Sequence, residues 1–268
     1  MHDTLIEQAQ AGAVRTLRLA RPAQLNACTC ALLVQLREAF EAAAADATVR
    51  CVVLSGAGRA FCVGQDLKDP LVAPAFDDPA APPKDMGHVV AQYYVPLARA
   101  LRAMPVPVIA AVNGVAAGAG ASLALGCDLV VAAEGASFIQ AFAKIGLIPD
   151  CGGSWLLPRL VGRAKALELA LLGDKLAARE AERIGLIHRC VPDAELGTVV
   201  GELAARLAAG SVRAMAETRR LMDAGQLVDF DRGLELEVTA QSQAGFRADY
   251  AEGVAAFVDK RAPRFTDR

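Results

Sequence analysis

The sequence predicts an α/β fold of repeated strand, turn and helix units, closed by a helical carboxy-terminal section. Three observations carry this. Residues 50–55, 108–112 and 128–132 are near-continuous apolar runs, as strands buried on both faces require. Small-residue turns and helix-periodic stretches alternate with them. Beyond about Asp193 the pattern becomes amphipathic helices separated by Gly210, Gly225 and Gly245, without a strand-like run.

In chain order, residues 4–10 and 14–19 alternate apolar with polar around Gly12, an opening hairpin that leads into a turn at Arg21-Pro22. Thr29 is placed to cap a helix running through Leu32, Leu33, Leu36 and Phe40 into an alanine run. The strand at 50–55 ends at Gly56-Ala57-Gly58. Residues 71–85 shift to proline, alanine and aspartate, which suits a long mobile loop over a site. Val89, Tyr93, Leu97, Leu101 and Met104 recur at helical spacing until Pro105 and Pro107 stop them. After the strand at 108–112 come a small-residue run at 113–120, a helix to Leu125 and the strand at 128–132. The expected division is a core at 1–195 and a helical oligomerisation region at 196–268.

Hydrophobic residues make up 54% of the chain, yet no apolar run reaches membrane-spanning length, so a soluble protein with apolar surface to spare for subunit contacts is expected. A net charge of -2 offers no footprint for nucleic acid or an anionic membrane. The amino terminus carries Asp3 and Glu7 and lacks the pattern of a signal peptide, which points to the cytoplasm. Seven scattered cysteines show no Cys-x-x-Cys spacing, and His2, His88 and His188 show no ligand spacing, so no metal is expected.

Three small-residue turns could carry chemistry: 61–66, 113–120 and 149–153. Glycine lets backbone N–H groups approach a ligand, and helix amino termini leave such groups unpaired. Two such turns face to face would form an oxyanion hole, worth about 3 to 4 kcal/mol per well-placed donor. The same glycines equally suit tight helix–strand packing. Gly118-Ala119-Gly120 lacks the third glycine of a dinucleotide fingerprint. Asp150, between Pro149 and two glycines, reads as a helix N-cap or as an acid/base. Ser122 reads as a core serine bonded back to its own helix. Cys151 beside a helix start could have a lowered thiol pKa, though no histidine partners it. The Gly-x-Ser-x-Gly elbow of hydrolases is missing from the sequence.

Together the turns resemble the enoyl-CoA hydratase/isomerase, or crotonase, superfamily, over nearly the whole chain. The resemblance lies in Leu19-Ala20-Arg21-Pro22 with Leu25-Asn26-Ala27, residues 58–66, 112–120, Cys127-Asp128-Leu129, 146–153, and the end from Asp249-Tyr250 through Lys260-Arg261 to Phe265. It implies a crotonase-like core of repeated β-β-α units, a helical trimerisation region and often a dimer of trimers. It also implies an acyl-CoA substrate, with no cofactor beyond the coenzyme A it carries. The resemblance places oxyanion donors at the N–H groups of Val63 and Ala119. It makes Gly64, Gln65, Asp66 and Leu67 the coenzyme A pocket, adds Gly118 and Phe142 as substrate contacts, and has Lys260 reach a neighbour's nucleotide.

Ser122 and Phe142 stand where hydratases of the family use two glutamates. Serine is too weak a base at neutral pH and phenylalanine has no exchangeable proton, so hydration is disfavoured. Asp150 matches the acid/base aspartate of the family's dienoyl-CoA isomerases. Phe142, Ile145, Leu147 and Ile148 are expected to raise its pKa. A lone carboxylate suits a proton shuttle, hence an isomerase. Residues 61–67 and 148–159 resemble the branch that isomerises a ring epoxide of an aromatic acyl-CoA. The rival readings are a hydratase and a non-catalytic acyl-CoA binder.

Overall fold

The computed structural model describes residues 4–75, 78 and 80–268. An antiparallel hairpin of β1 (Ile6–Ala11) and β2 (Val14–Leu19) turns at Gly12. The helix α1 (Cys30–Ala45) follows, and its orphan amino-terminal donors are met twice: Thr29 Oγ1 accepts from Leu32 N–H at 3.2 Å, and the buried Asp69 carboxylate accepts from Cys30 N–H at 2.8 Å.

Three β-β-α units come next. The first is β3 (Cys51–Gly56), β4 (Ala60–Cys62) and a helical segment made of α2 (Met86–Val89), a π-helical turn (Val90–Tyr94) and α3 (Val95–Arg102). The second is β5 (Val108–Val112), β6 (Val115–Ala117) and α4 (Ala119–Leu125). The third is β7 (Leu129–Ala133), β8 (Ser137–Ile139) and α5 (Gly153–Leu172). The widened turn at 90–94 has a cause in Pro96, which has no N–H to give and whose ring crowds the carbonyl four residues back.

In each unit the first strand enters one sheet and the second strand another. The larger sheet runs β1-β2-β3-β5-β7-β10 and the smaller β4-β6-β8-β9, after β9 (Lys175–Ala177), α6 (Ala178–Arg183) and β10 (Arg189–Val191) complete their edges. From β2 to β10 the larger sheet is parallel. The strands of the smaller sheet have three residues each, too few to show a period, and the sequence hid them. The run at 113–120 is accordingly a strand, β6, and a helix start, where turn alone was expected.

The last helices are α7 (Leu196–Ala209), α8 (Val212–Gly225), α9 (Phe230–Gly245) and α10 (Ala248–Val258). The first of them lies across β3, β5 and β7, burying Val200, Ala204 and Ala208, so the packed core reaches past residue 195. In contrast α9 has no fully buried residue. Phe230, Phe246 and Phe257 stand 79%, 91% and 84% exposed on this section. No helix among the described residues is long and apolar enough to cross a membrane. Of the loop expected at 71–85, Phe76, Asp77 and Pro79 lie outside the described residues; Val72 is buried, and Asp85 caps α2 by accepting from His88 N–H at 3.2 Å.

Candidate active site

The turn after β4 is fixed by Cys28. Its N–H donates to the Gly64 carbonyl at 2.7 Å, and its carbonyl accepts from Asp66 N–H at 2.8 Å. In such a parallel bridge the N–H of the intervening residue, Gln65, points to the opposite edge. That edge is the one on which β4 pairs with β6. Two glycines let the chains close there: a Cβ on Gly64 would lie 2.9 Å from the Ala117 carbonyl and 3.3 Å from Ala119 N, and one on Gly120 would lie 2.2 Å from the Cys62 carbonyl. Tight packing and a gap lined by donors are therefore one construction.

Val63 does not take the place expected of it. Its N–H is turned to the Leu25 carbonyl at 3.3 Å, because the segment at 25–28 runs along that side of the turn. Gln65 N–H has no acceptor among the described residues, and Ala119 N–H, at the first position of α4, is an orphan donor of the helix start. The hidden signal was the parity of the bridge, which needs the partner Cys28 to be known. The helix around Tyr93 and Tyr94 was expected to shape the acyl pocket; what the sequence does not show is that Tyr94, buried in the π-helical turn, donates its hydroxyl to Gln65 Oε1 at 2.8 Å and holds that side chain.

Asp66 has less to offer a ligand than expected. Its carboxylate accepts from Arg21 Nη1 at 3.0 Å and from Lys68 N–H at 3.0 Å. Leu67 is half exposed beside it, as a pocket rim would be. Phe142 is buried across from Gly118, its Cζ 3.9 Å from where a Cβ there would sit. Lys260 lies exposed just past α10 with φ +52°, and takes no part in the hydrogen bonds of the three turns.

Asp150 lies ahead of α5, and the capping role open to it is not used. The N-cap of α5 is Gly152, without a side-chain cap. The chain turns sharply there, through left-handed Cys151 and Gly152 at φ +50° and +84°, leaving Asp150 Oδ1 buried with no partner among the described residues. Burial pushes its carboxyl up from 3.8 to about 6. The four neighbours expected to cause this do not all do so: Ile145 and Ile148 are 52% and 80% exposed and Leu147 is on the surface. The inner side of the turn holds Asp150 within electrostatic reach of Cys28, Cys151 and Tyr94.

Two further expectations are corrected. Ser122 is fully buried but its hydroxyl makes no bond back to its helix, since Gly153 presses against it. Cys151 is no activated nucleophile: burial and the neighbouring Asp150 push its thiol far up, so it stays protonated. Cys28 and Cys62 are free thiols with sulfurs 3.4 Å apart beneath the turn.

A gap lined by two unpaired backbone donors, with a buried carboxyl nearby whose Oδ1 has no partner among the described residues, has the chemistry to stabilise an oxyanion and move a proton. The comparisons agree in class. The enoyl-CoA hydratase/isomerase family matches residues 9–268, and the chain belongs to that family. It is 46% identical over 268 residues, the full length of both, to the 1,2-epoxyphenylacetyl-CoA isomerase of Escherichia coli (strain K12). It is 44% identical over 252 residues, 94% of each chain, to a Rhodobacter capsulatus protein named "Probable enoyl-CoA hydratase". The crystal structure of an enoyl-CoA hydratase from Bacillus anthracis superposes with a TM-score of 0.90 at 32% identity, covering 99% of this chain and 100% of that one. The crotonase fold is thus established.

Proposed function

We propose that the protein isomerises acyl-CoA thioesters, with Asp150 as the proton shuttle and the N–H groups of Gln65 and Ala119 as the oxyanion hole. The observation that carries this is the isolation of Asp150: Ser122 and Phe142, on the facing elements, hold no acid or base for activating water. Its carboxylate removes the proton from the carbon next to the thioester carbonyl. Negative charge moves to the carbonyl oxygen, where the two donors meet it, and the carboxylic acid returns the proton at a remote carbon of the same acyl group. A pKa of about 6 places the group near the balance such a shuttle needs.

The substrate proposed is ring-1,2-epoxyphenylacetyl-CoA, converted to oxepin-CoA in phenylacetate breakdown. Likeness over the full length to the E. coli isomerase supports it. Here the C–C bond shared by the epoxide and the ring opens to give the seven-membered oxepin. Asp150 takes the α proton, the hole holds the extended enolate, and the same proton returns to a ring carbon, which leaves a double bond between the ring and the α carbon. The same shuttle would move a 3-enoyl double bond to position 2. Coenzyme A binds along 64–67, and the exposed apolar faces of the last helices pair subunits into a trimer or a dimer of trimers.

Replacing Asp150 with asparagine tests the reading: turnover falls by about 10² to 10⁴ while binding of the thioester persists. An active asparagine variant would sink it. The relatives named as hydratases keep hydration as the second reading; rapid loss of the conjugated double bond of crotonyl-CoA would establish it. Absence of deuterium exchange into a bound enoyl-CoA in heavy water would favour a binder without chemistry.

A further inference from the structure

Behind the turn that carries Asp150 lies a cavity of about 340 Å³, and Cys151 and Gly152, the two residues that follow Asp150, form part of its wall. The opposite wall is the end of α3, with Leu101 and Arg102, and α4 contributes Leu123, the residue after Ser122. Leu227, between α8 and α9, closes one side. The cavity thus adjoins the proposed site through the two residues that follow Asp150 and through α4, the helix that Ala119 begins.

One wall is fixed more firmly than the others. Trp155 on α5 lies under two guanidinium groups, Arg102 at 4.3 Å and Arg159 at 4.1 Å from the ring centre. Arg102 is itself held by Asp223 on α8 at 2.8 Å, and Arg159 Nη1 donates to the Trp155 carbonyl at 3.0 Å. Turning the indole away would break both cation–π contacts, so it is a rigid wall. The only ionised lining group, Arg102, has its charge answered by Asp223 and the indole face, which leaves an uncharged apolar interior. The volume stands at the low end of the roughly 300 to 1,000 Å³ range of small-molecule sites.

We infer that this cavity receives the end of the acyl group farthest from the thioester, that it selects a compact apolar acyl group such as a ring, and that Trp155 is the residue setting the limit. The inference rests on the reading of Asp150 as the shuttle, and its test separates the two. Trp155 is the only tryptophan in the chain, so its emission reports on this cavity alone. The whole protein is titrated by calorimetry and by fluorescence with phenylacetyl-CoA and with unacylated coenzyme A. The expected result is heat from both ligands and a shift in Trp155 emission with phenylacetyl-CoA only. Binding heat without an emission change, or the same change with coenzyme A alone, overturns the cavity assignment and leaves Asp150 untouched. No heat from either ligand overturns the coenzyme A reading and the cavity with it. In turnover, Trp155→Ala shifts kcat/KM from the compact substrate towards a long-chain 3-enoyl-CoA by about tenfold or more, and Trp155→Phe holds it near the wild-type ratio. An unchanged ratio in a folded Ala variant overturns the specificity role.

Discussion

The hydroxyl of Ser122 stands in front of Gly153: a methyl group on Gly153 would come within 2.5 Å of Ser122 Oγ and 3.4 Å of Pro149 Cβ. The start of α5, and with it the turn of Asp150, is therefore positioned by a contact that tolerates no side chain. Gly153→Ala is expected to cost about 1 to 3 kcal/mol and to lower kcat by displacing Asp150. Adding Ser122→Ala removes the clashing oxygen and should recover most of the loss in urea unfolding. Additive losses in the double variant would refute the contact.

Asp150 gives a signed dependence on pH. The base form is needed for proton removal, so kcat/KM should rise with pH and level off above about 6. Stability runs the other way. Because burial raises the folded carboxyl from 3.8 to about 6, the folded state keeps a proton that the unfolded chain has released. The resulting stabilisation is complete below pH 3.8 and is lost as pH rises through 6, by at most about 3 kcal/mol given the residue's partial contact with solvent. Asp150→Asn should thus be inactive yet more resistant to urea at pH 7.5, with a much smaller gain at pH 4.

The Arg21–Asp66 ion pair, 3.0 Å apart with both side chains mostly buried, braces the turn in which Gly64 packs against Ala119. Arg21→Ala leaves the mostly buried Asp66 without its cation. It is expected to cost about 2 to 4 kcal/mol in stability and to lower kcat, measured by unfolding and turnover. A variant with unchanged kcat would show that the pair does not support the hole.

A protonated, buried thiol takes no part in the proposed shuttle. Cys151→Ala should keep kcat within about threefold of wild type, since buried cysteine acts as a small hydrophobe. Abolished turnover in a folded variant would bring the nucleophile reading back.

The exposed phenylalanines of the last helices predict self-association. Phe246→Glu with Phe257→Glu, tested by light scattering, should shift the protein to smaller species without unfolding it. An unchanged mass in the double variant would place the contact elsewhere.

The strands read at 50–55, 108–112 and 128–132, which the structure places at 51–56, 108–112 and 129–133, the cap at Thr29, the helices after residue 193 and the family were all legible in the sequence. So were the positions of the three small-residue turns. Each was written in local terms: continuous apolar runs, a hydroxyl before a helix, glycines in fixed order. The three-residue strands were not, because a period of two cannot show in three positions.

The donors and the acid depended on relations between distant segments. Only the bridge to Cys28 shows which N–H of the turn at 63–66 is spent and which is free. Asp150, written identically as cap or as acid in its neighbours, is left without a capping role because the left-handed turn at Cys151 and Gly152 carries its carboxyl inward, away from the helix donors it could have capped. The sequence by itself determined which residues could do chemistry and in what family of folds. Backbone direction and burial, which arise only when the sheets close, decided which of them are left unpaired, and an unpaired polar atom is what a substrate can use.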